Sequence, residues 1–309
     1  MSRITALAAI ACGLALIATV ATPSESNAFC RTTTTTQPDD QSCRTDGEPL
    51  EWRRRCMSYA VDVRGSQSIE FDDALDAIDA SFETWMDVTC DGQPIDLEVA
   101  RLDEPVLCQE AQFNERGPNV NTVAFLSPFE SPDGIPYAPS AFAVTIVWRF
   151  DDGEIVDADM LINEDLGPYT VCPDAGCTGE PASNRSVDLQ NIVTHEAGHF
   201  FGIAHSDVLD STMYGQAPRG EVAKRTLDQD DIDALCTIYP PGSFGGGCDF
   251  TPLGGLQLDC SEDVAGGDGG GGGGCAAAQP QRAWRGVGVL SVLFGVIVLG
   301  RRRRRRPLP

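Results

Sequence analysis

The chain contains 309 residues, and its 46 acidic against 22 basic side chains give a formal net charge of −24 at pH 7. Such an acidic chain argues against nucleic acid and anionic membrane surfaces as partners, because both repel negative charge. The twelve cysteines include no Cys-x-x-Cys pair, which disfavours a cysteine zinc site and favours disulfides formed in an oxidising compartment. After removable ends are subtracted, the length leaves room for one domain of about 200 residues.

The N-terminal part of the chain divides into two segments. Residues 1–28 are typical of a secretory signal peptide, because Arg3 gives a basic start and Ile4–Val20 is mostly apolar. Residues 29–48 are rich in Thr and Asp and show no hydrophobic periodicity, so we expect an irregular segment. This order predicts a secreted protein whose folded domain begins near residue 49.

The hydrophobic pattern predicts a folded domain over residues 49–241. Apolar residues from Phe71 to Val88 recur at the spacing of an amphipathic helix. A second helix is expected over Val187–Phe201 and a third after Thr226, which resembles a capping box with Gln229. The order of elements predicts an α+β domain in which helices pack on a mixed sheet. The predicted strands cover residues 57–63, 95–100, 122–126, 141–150 and 154–163.

Two carboxylates stand out in the last of these strands. Asp157 and Asp159 are two residues apart, so a strand places both on the same face of the sheet. Carboxylate oxygens are calcium ligands, which makes this pair a candidate structural calcium site. The alternative interpretation is a pair of polar side chains on the solvated face of a strand.

One stretch, HEAGHFFGIAH, contains all three histidines of the chain. His195 and His199 are four residues apart, so a helix places both imidazoles on one face, where they can bind one zinc ion. Gly202 allows the chain to leave the helix in a left-handed turn, which brings His205 round as a third ligand. Glu196 can then reach a water at the open fourth position. The alternative, three histidines used only for packing, is disfavoured because the full spacing seldom arises by chance.

The motif resembles the zinc signature of the metzincin metallopeptidases, and two further features resemble the matrixin branch. Ser206 follows the third histidine, where matrixins usually have serine, and residues 211–215 resemble the Met-turn. The resemblance implies a zincin-like catalytic domain with a mixed, mostly parallel twisted sheet, three main helices, and zinc in a cleft between two subdomains. It also implies that Met213 forms an apolar floor beneath the zinc. Tyr214 follows that methionine by one residue rather than two, so it is not assigned as a ligand.

The resemblance implies a metalloendopeptidase that hydrolyses protein or peptide substrates. In that chemistry Glu196 is the general base, because it takes a proton from the attacking water and passes it to the departing amine. The competing interpretation is a catalytically inactive surface binding protein that keeps a metal for stability. Such a protein is expected to lack the base or one ligand, and this sequence has all four residues.

Two common features of matrixins are not predicted here. A second, structural zinc bound by further histidines is excluded, since the sequence contains no further histidine. Latency through a propeptide cysteine is not predicted either, because the Pro-Arg-Cys-Gly pattern that carries it is absent. Cys30 and Cys43 are the candidates for such a role, and disulfide pairing is the favoured use of both. A monomer is expected.

The cysteines between residues 29 and 241 form an even set, which predicts that they pair among themselves. Cys172 and Cys177 enclose four residues and are a candidate for a small closed loop. Cys248 and Cys260 form another candidate pair, and Cys275 is left alone. The eight members of the even set are Cys30, Cys43, Cys56, Cys90, Cys108, Cys172, Cys177 and Cys236.

The C-terminal part of the chain is predicted to lie outside the domain. Residues 242–274 are rich in glycine, so we expect a flexible linker. In residues 275–309 the lone Cys275 precedes the apolar run Gly286–Gly300 and six consecutive arginines. A helix of that run spans only about 22 Å, short of a bilayer core of about 30 Å. The segment resembles the C-terminal sorting tails of secreted myxobacterial proteins, with Cys275 as the site of processing and lipid attachment. The alternative is an ordinary membrane anchor, and both predict a protein on the bacterial cell surface or outer envelope.

Overall fold

The computed structural model describes residues 29–35, 43–177, 185–260 and 295–301, the last range by its backbone alone. Most of the predicted elements lie within two residues of their predicted bounds. The small differences are at the ends, which are the least determined part of a periodic pattern. The α-helices of the described residues are α1 (Phe71–Met86), α2 (Leu189–Phe200) and α3 (Gln229–Ile238). The strands are β1 (Glu51–Trp52), β2 (Cys56–Val61), β3 (Thr89–Cys90), β4 (Gln93–Pro94), β5 (Glu98–Arg101), β6 (Thr122–Leu126), β7 (Ala143–Phe150), β8 (Glu154–Asn163), β9 (Tyr169–Thr170), β10 (Val187–Asp188) and β11 (Gly295–Arg301).

The main sheet places β5, β2, β6, β8 and β7 side by side in that order. The pairs β5–β2, β2–β6 and β6–β8 are parallel, whereas β7 runs antiparallel to β8. The antiparallel pair follows from the short turn at residues 151–153, since a parallel pair needs a long crossover. Gly153 has a φ of +85°, and a Cβ there would lie 2.3 Å from the carbonyl oxygen of Pro49. The predicted fold class, a mixed and mostly parallel sheet with helices, is confirmed.

Alternate residues of β8 face two separate apolar layers. Met160 belongs to the main core between the sheet and the helices, whereas Leu161 belongs to a smaller cluster on the opposite face. Helix α1 contributes Phe82 and Trp85 to the main core, both of them buried. The indole N–H of Trp85 donates to the carbonyl of Thr194 in α2 at 2.8 Å, so this bond helps to fix the position of α2, which carries two of the histidines, relative to α1.

Helix α3 begins at a different cap from the one that the sequence predicted. Thr226 is extended and precedes the helix, so the capping box with Gln229 is wrong. The observed box pairs Asp228 with Asp231, two acidic side chains three residues apart that reach each other's backbone N–H. A capping box does form, but two residues later than predicted. Asp228 and Asp231 have the same three-residue spacing as Thr226 and Gln229, so the spacing alone did not distinguish the two positions.

Residues 242–260 pack against the domain, so the prediction of a flexible linker is wrong for this part, which we call the C-terminal strap. Disulfides Cys56–Cys248 and Cys108–Cys260 fix it at two points. Between them the side-chain amide of Asn119 donates to the carbonyl of Leu253 at 2.6 Å. Glycine content misled the prediction because covalent links replace the apolar core that such a composition cannot build. Residues 261–274 lie outside the described part of the chain.

The remaining cysteine pairs of the described residues test the even set of eight. Cys172–Cys177 forms as predicted, and Cys30–Cys43 and Cys90–Cys236 also pair. The set does not pair within itself, because two of its members bond to the strap. The candidate pair of Cys248 with Cys260 therefore does not form. Both Cys30 and Cys43 are disulfide-bonded, in agreement with the favoured use of these two residues.

The apolar run near the C-terminus is described only at residues 295–301. This part forms β11, parallel to β7, so the helix predicted over the run is wrong at these positions. Val296, Ile297 and Val298 are β-branched residues that suit a strand beside an open sheet edge. Among the described residues no helix is long and apolar enough to cross a membrane. The predicted signal peptide and Cys275 lie outside the described ranges.

Candidate metal centre and active site

Helix α2 carries the first two histidines of the motif. Its N-cap, Asp188, accepts a hydrogen bond from the backbone N–H of Asn191 at 2.7 Å, which fixes the start of the helix. His195 and His199 follow on one buried face, and their ring centroids are 4.9 Å apart. Helical spacing alone therefore brings two imidazoles together, as the sequence predicted.

The third histidine arrives through a tight turn after α2. Gly202 has a φ of +84°, and a Cβ there would lie 2.6 Å from the carbonyl oxygen of Leu50. Any side chain would thus meet both backbone strain and a clash. The turn places the His205 ring 4.9 Å from that of His199 and 5.3 Å from that of His195. The structure brings together all three predicted ligands.

Hydrogen bonds define which ring nitrogens face the shared point. Nδ1 of His195 lies 2.6 Å from the carbonyl oxygen of Thr212, and Nδ1 of His199 lies 2.8 Å from that of Ile203. A carbonyl only accepts, so each Nδ1 carries the proton and Nε2 carries the lone pair. One ring nitrogen from each histidine, His205 included, lies within 4.8 Å of the others. Three imidazole nitrogens so arranged fit zinc.

Electrostatics favour metal binding at this position. Burial lowers the pKa of His195, His199 and His205, with smaller contributions from neighbouring positive charge. The pKa of His199 falls to about 4. Neutral imidazoles are therefore present at neutral pH, and only the neutral form binds a metal. The buried Nε2 atoms of His199 and His205 find no hydrogen-bond partner among the described residues, which is costly unless a cation occupies the point between them.

The carboxylate of Glu196 is fully buried beside the histidines. The hydroxyl of Thr145 in β7 donates to its Oε2 at 2.7 Å, and Oε1 has no hydrogen-bond partner among the described residues. Burial raises the pKa of Glu196 to about 8, and the Thr145 hydrogen bond opposes that rise. A bound cation would lower it again. One held oxygen and one available oxygen are the arrangement that a proton acceptor needs.

Met213, the residue predicted as the apolar floor, packs against the helix that carries the histidines. Met213 is fully buried, and its Sδ packs on Gly198 within α2. A Cβ at Gly198 would lie 2.1 Å from that Sδ and 2.9 Å from Trp85, so only glycine allows the methionine to approach the helix this closely. Gly198 was not among the predicted site residues. A glycine inside a helical pattern was the available signal for a close contact.

The Met-turn is held by a side chain that motif analysis did not single out. The carboxylate of Asp231 in α3 accepts from the Ser211 hydroxyl at 2.6 Å, and from the backbone N–H groups of Thr212 at 2.7 Å and Met213 at 3.1 Å. It is buried, and these bonds satisfy its charge. The sequence placed Asp231 only in the first turn of a helix, where acidic residues are common, so nothing distinguished it. Thr145 was missed for a similar reason, because a threonine in a strand is equally common.

The candidate calcium residues lie on the opposite face of the sheet from the histidines. Asp157 and Asp159 are both buried, so the alternative of a solvated strand face is wrong. Asp159 accepts from the backbone N–H groups of Gln112 and Thr122, each at 3.0 Å. Burial raises the pKa of both carboxyls, and the charge of Asp159 raises that of Asp157 further, which favours one proton on Asp157 shared with Asp159. Calcium at this pair remains a prediction.

Comparison with known proteins gives a consistent result. Residues 51–240 match the model of the matrixin family, peptidase M10. Metalloendoproteinase 1 of Glycine max is 34% identical over 112 residues, which are 36% of this chain and 31% of that protein. Neutrophil collagenase of Homo sapiens is 25% identical over 197 residues, 63% of this chain and 34% of that protein. Interstitial collagenase of Oryctolagus cuniculus is 24% identical over 199 residues, 64% and 34% respectively. The chain thus spans about a third of the length of these relatives.

Proposed function

Because the chain belongs to the matrixin family, we propose that it is a zinc-dependent endopeptidase in which Glu196 is the general base. The observation that supports this most is the geometry of four buried side chains. Three neutral imidazoles converge on one point, and a carboxylate with one available oxygen lies beside them. A site kept only for stability has no need of that carboxylate.

Each residue has a defined part in this proposal. His195, His199 and His205 hold the metal through Nε2, and Met213 forms an apolar floor without chemistry. Zinc bound there supplies Lewis-acid polarisation of the substrate carbonyl and acidifies a neighbouring water. Glu196 accepts the proton of the attacking water and delivers it to the departing amine nitrogen.

The position of Thr145 supports the same assignment. It lies on β7, the strand that runs beside α2, and its hydroxyl orients the carboxylate of the base through Oε2. Holding one oxygen of Glu196 leaves the other to receive a proton in a fixed direction, which removes an entropic cost from the reaction. We therefore expect Thr145 to be a positioning residue rather than one that contacts substrate.

The direct test is Glu196→Gln, which keeps the shape of the side chain and removes its basicity. We expect kcat on a peptide substrate to fall about 10²-fold or more, while zinc content stays at one per chain. Glu104→Gln is the matched control, since Glu104 is exposed whereas the site residues are buried. Turnover at the wild-type rate in Glu196→Gln would contradict the proposal.

The competing function, a catalytically inactive surface binding protein, makes a different prediction for the same experiment. It expects zinc in the wild-type protein without turnover of any member of a peptide library. Its support is weaker because the base and all three ligands are present together. Zinc content and peptide cleavage, measured on one preparation, separate the two functions.

Secretion and attachment to the cell envelope are part of the proposal. The five disulfides of the described residues fit an oxidising compartment outside the cytoplasm. We infer that residues 1–28 direct export and that residues 275–309 act in sorting, with Cys275 as the attachment point. The mass of the intact protein from cells tests this. A mature C-terminus that still ends in Arg-Pro-Leu-Pro, together with normal localisation of Cys275→Ala, would refute the sorting function.

A further inference from the structure

Lys224 is a buried cation beneath the Met-turn, and the mechanism above does not use it. The side chain is only 4% exposed. Its Nζ donates to the carbonyl oxygens of Thr212 at 2.9 Å and Tyr214 at 2.5 Å, and that of Ser211 lies at 3.4 Å. The Tyr214 ring centroid lies 5.7 Å from the same nitrogen. An ammonium group this far from solvent needs such acceptors, and the turn supplies them.

The charge of Lys224 persists in this environment. Burial lowers its pKa to about 8, while Glu221 and Asp231 act in the opposite direction. The ammonium form therefore predominates at neutral pH. Its positive charge in turn lowers the pKa of all three histidines, so it lies close enough to influence the whole metal centre.

One atom connects Lys224 directly to a metal ligand. The carbonyl oxygen of Thr212 accepts from Nδ1–H of His195 at 2.6 Å and from Nζ of Lys224 at 2.9 Å. A carbonyl has two lone pairs, so both bonds form at once. His199 bonds to a different carbonyl, that of Ile203, through its own Nδ1. The two candidate ligands on α2 therefore differ in their acceptors: the carbonyl that His195 bonds to also accepts from Lys224, whereas His199 bonds to the carbonyl of Ile203.

We propose that Lys224 is a positioning residue for the metal centre: through the shared Thr212 carbonyl it weakens the hydrogen bond that His195 donates. An ammonium group draws electron density from a carbonyl, and a poorer acceptor pulls less on the Nδ1 proton. The ring then carries less negative charge and donates less to the metal. The bound zinc stays more electrophilic, as expected when groups behind the ligands tune a metal.

The experiment uses the protein labelled with ¹⁵N in its histidines, and this chain contains only three. In the zinc-loaded mature protein, Lys224→Met should move the Nδ1–H proton resonance of His195 downfield, because the hydrogen bond becomes stronger. The His199 resonance is the internal reference and should not move. We expect one zinc per chain to be retained, and kcat to fall about threefold to tenfold with KM unchanged, for a charge effect of about 1 kcal/mol.

A second variant is needed because Lys224→Met leaves buried carbonyls without their donor, which can destabilise the Met-turn by itself. Lys224→Arg retains the charge and a donor, so it should restore the His195 resonance and most of kcat. Ser81→Ala is a control for general destabilisation, since its hydroxyl bonds to the carbonyls of Ala77 in α1 at 2.7 Å and of Gln190 in the first turn of α2 at 3.2 Å, and not to the Met-turn. It should leave all three histidine resonances in place.

Two results would overturn the inference. Loss of zinc in both Lys224 variants, with all three resonances shifted together, would show a merely structural tether. A folded, zinc-loaded Lys224→Met protein with an unmoved His195 resonance would show that the lysine does not act on that ligand. The inference rests on the proposed function, which fails separately if zinc does not change the His195 nitrogen resonances of the wild-type protein.

Discussion

The histidine stretch, residues 195–205, and the C-terminal strap reach fixed positions by opposite routes. In the first, helix periodicity and one left-handed glycine place three ligands within ten residues of each other. In the second, two disulfides join residues that are 192 and 152 positions apart. Periodicity acts between neighbours in sequence and can be read from it, whereas a link between distant cysteines depends on the path of the whole chain.

The two regions also differ in role, since the histidine stretch carries the candidate chemistry and the strap contributes to stability. The histidine stretch holds buried polar groups whose cost a bound metal would offset, so we expect its own structure to depend on that ligand. The strap adds no group to the metal centre. It restricts the unfolded chain instead, and this is the main contribution of a disulfide in the chain-entropy account. Changes in the first region should therefore affect activity first, and changes in the second should affect unfolding.

Removing one ligand should have the largest effect. In His205→Ala we expect weaker zinc binding and a fall in kcat of about a thousandfold, because the metal contributes several kcal/mol to the barrier reduction. Zinc content after dialysis against a weak chelator, measured with peptide turnover, checks this. Full zinc occupancy in the variant would remove His205 from the ligand set.

Opening the strap should affect stability and leave catalysis unchanged. Cys108→Ser/Cys260→Ser should lower the free energy of unfolding by about 2 kcal/mol more than Cys172→Ser/Cys177→Ser. The reason is loop length: with Cys90–Cys236 intact, the Cys108–Cys260 bond closes a loop of about 40 residues, whereas Cys172–Cys177 spans 5. Denaturant titration of both double variants gives the comparison, and kcat below the transition should match wild type. Equal losses would indicate that packing, and not the covalent link, holds the strap.

The sequence predicted the parts of this molecule that depend on local spacing. The three candidate ligands and the candidate base came from one short pattern and the candidate Met-turn from a second, and the mixed, mostly parallel sheet was predicted as a class. What it missed depends on partners far along the chain. Thr145 donates a hydrogen bond to Glu196, which is 51 positions away in the sequence. Asp231, in helix α3, accepts one from the backbone N–H of Met213 in the loop before that helix. A threonine in a strand and an aspartate in a first helical turn are ordinary until the fold brings them to a buried site.

A smaller effect is expected from adding one methyl group to the histidine helix. Gly198→Ala should lower the free energy of unfolding by about 2 kcal/mol, since the new Cβ overlaps Met213. The displaced methionine should also reduce kcat. The double variant Gly198→Ala/Met213→Leu removes the sulfur and should recover part of the loss, which a thermal-unfolding cycle measures. Independent, additive losses would show that the two residues do not interact.

The smallest effect concerns the buried carboxyl pair on the far face of the sheet. Burial raises the pKa of Asp157 and Asp159, so the folded protein holds a proton that the unfolded chain has released above about pH 4. The stability of the wild type should thus fall as pH rises from about 4 toward neutral. Asp157→Asn cannot ionise, so it should gain about 1 kcal/mol relative to wild type at pH 7.5 and little at pH 4.5.

The control for this pair is Asp133→Asn at an exposed turn, which should show no such pH dependence. Thermal unfolding at both pH values, with and without calcium, completes the measurement. If calcium raises the melting temperature of the wild type and not of Asp157→Asn, the pair binds a cation in place of the shared proton. That outcome would confirm the calcium prediction and refute the proton.

The bond between Cys108 and Cys260 has a further consequence for proteolysis of the chain itself. Every peptide bond from residue 108 to residue 260 lies inside one covalent ring. A single cut at the exposed turn near Ile135, whose side chain is 53% exposed, leaves both pieces joined through sulfur. The nicked chain would migrate as one species on a gel until reductant is added, and its histidines would stay on the same covalently joined molecule. One proteolytic event is therefore not enough to release a fragment of the active centre.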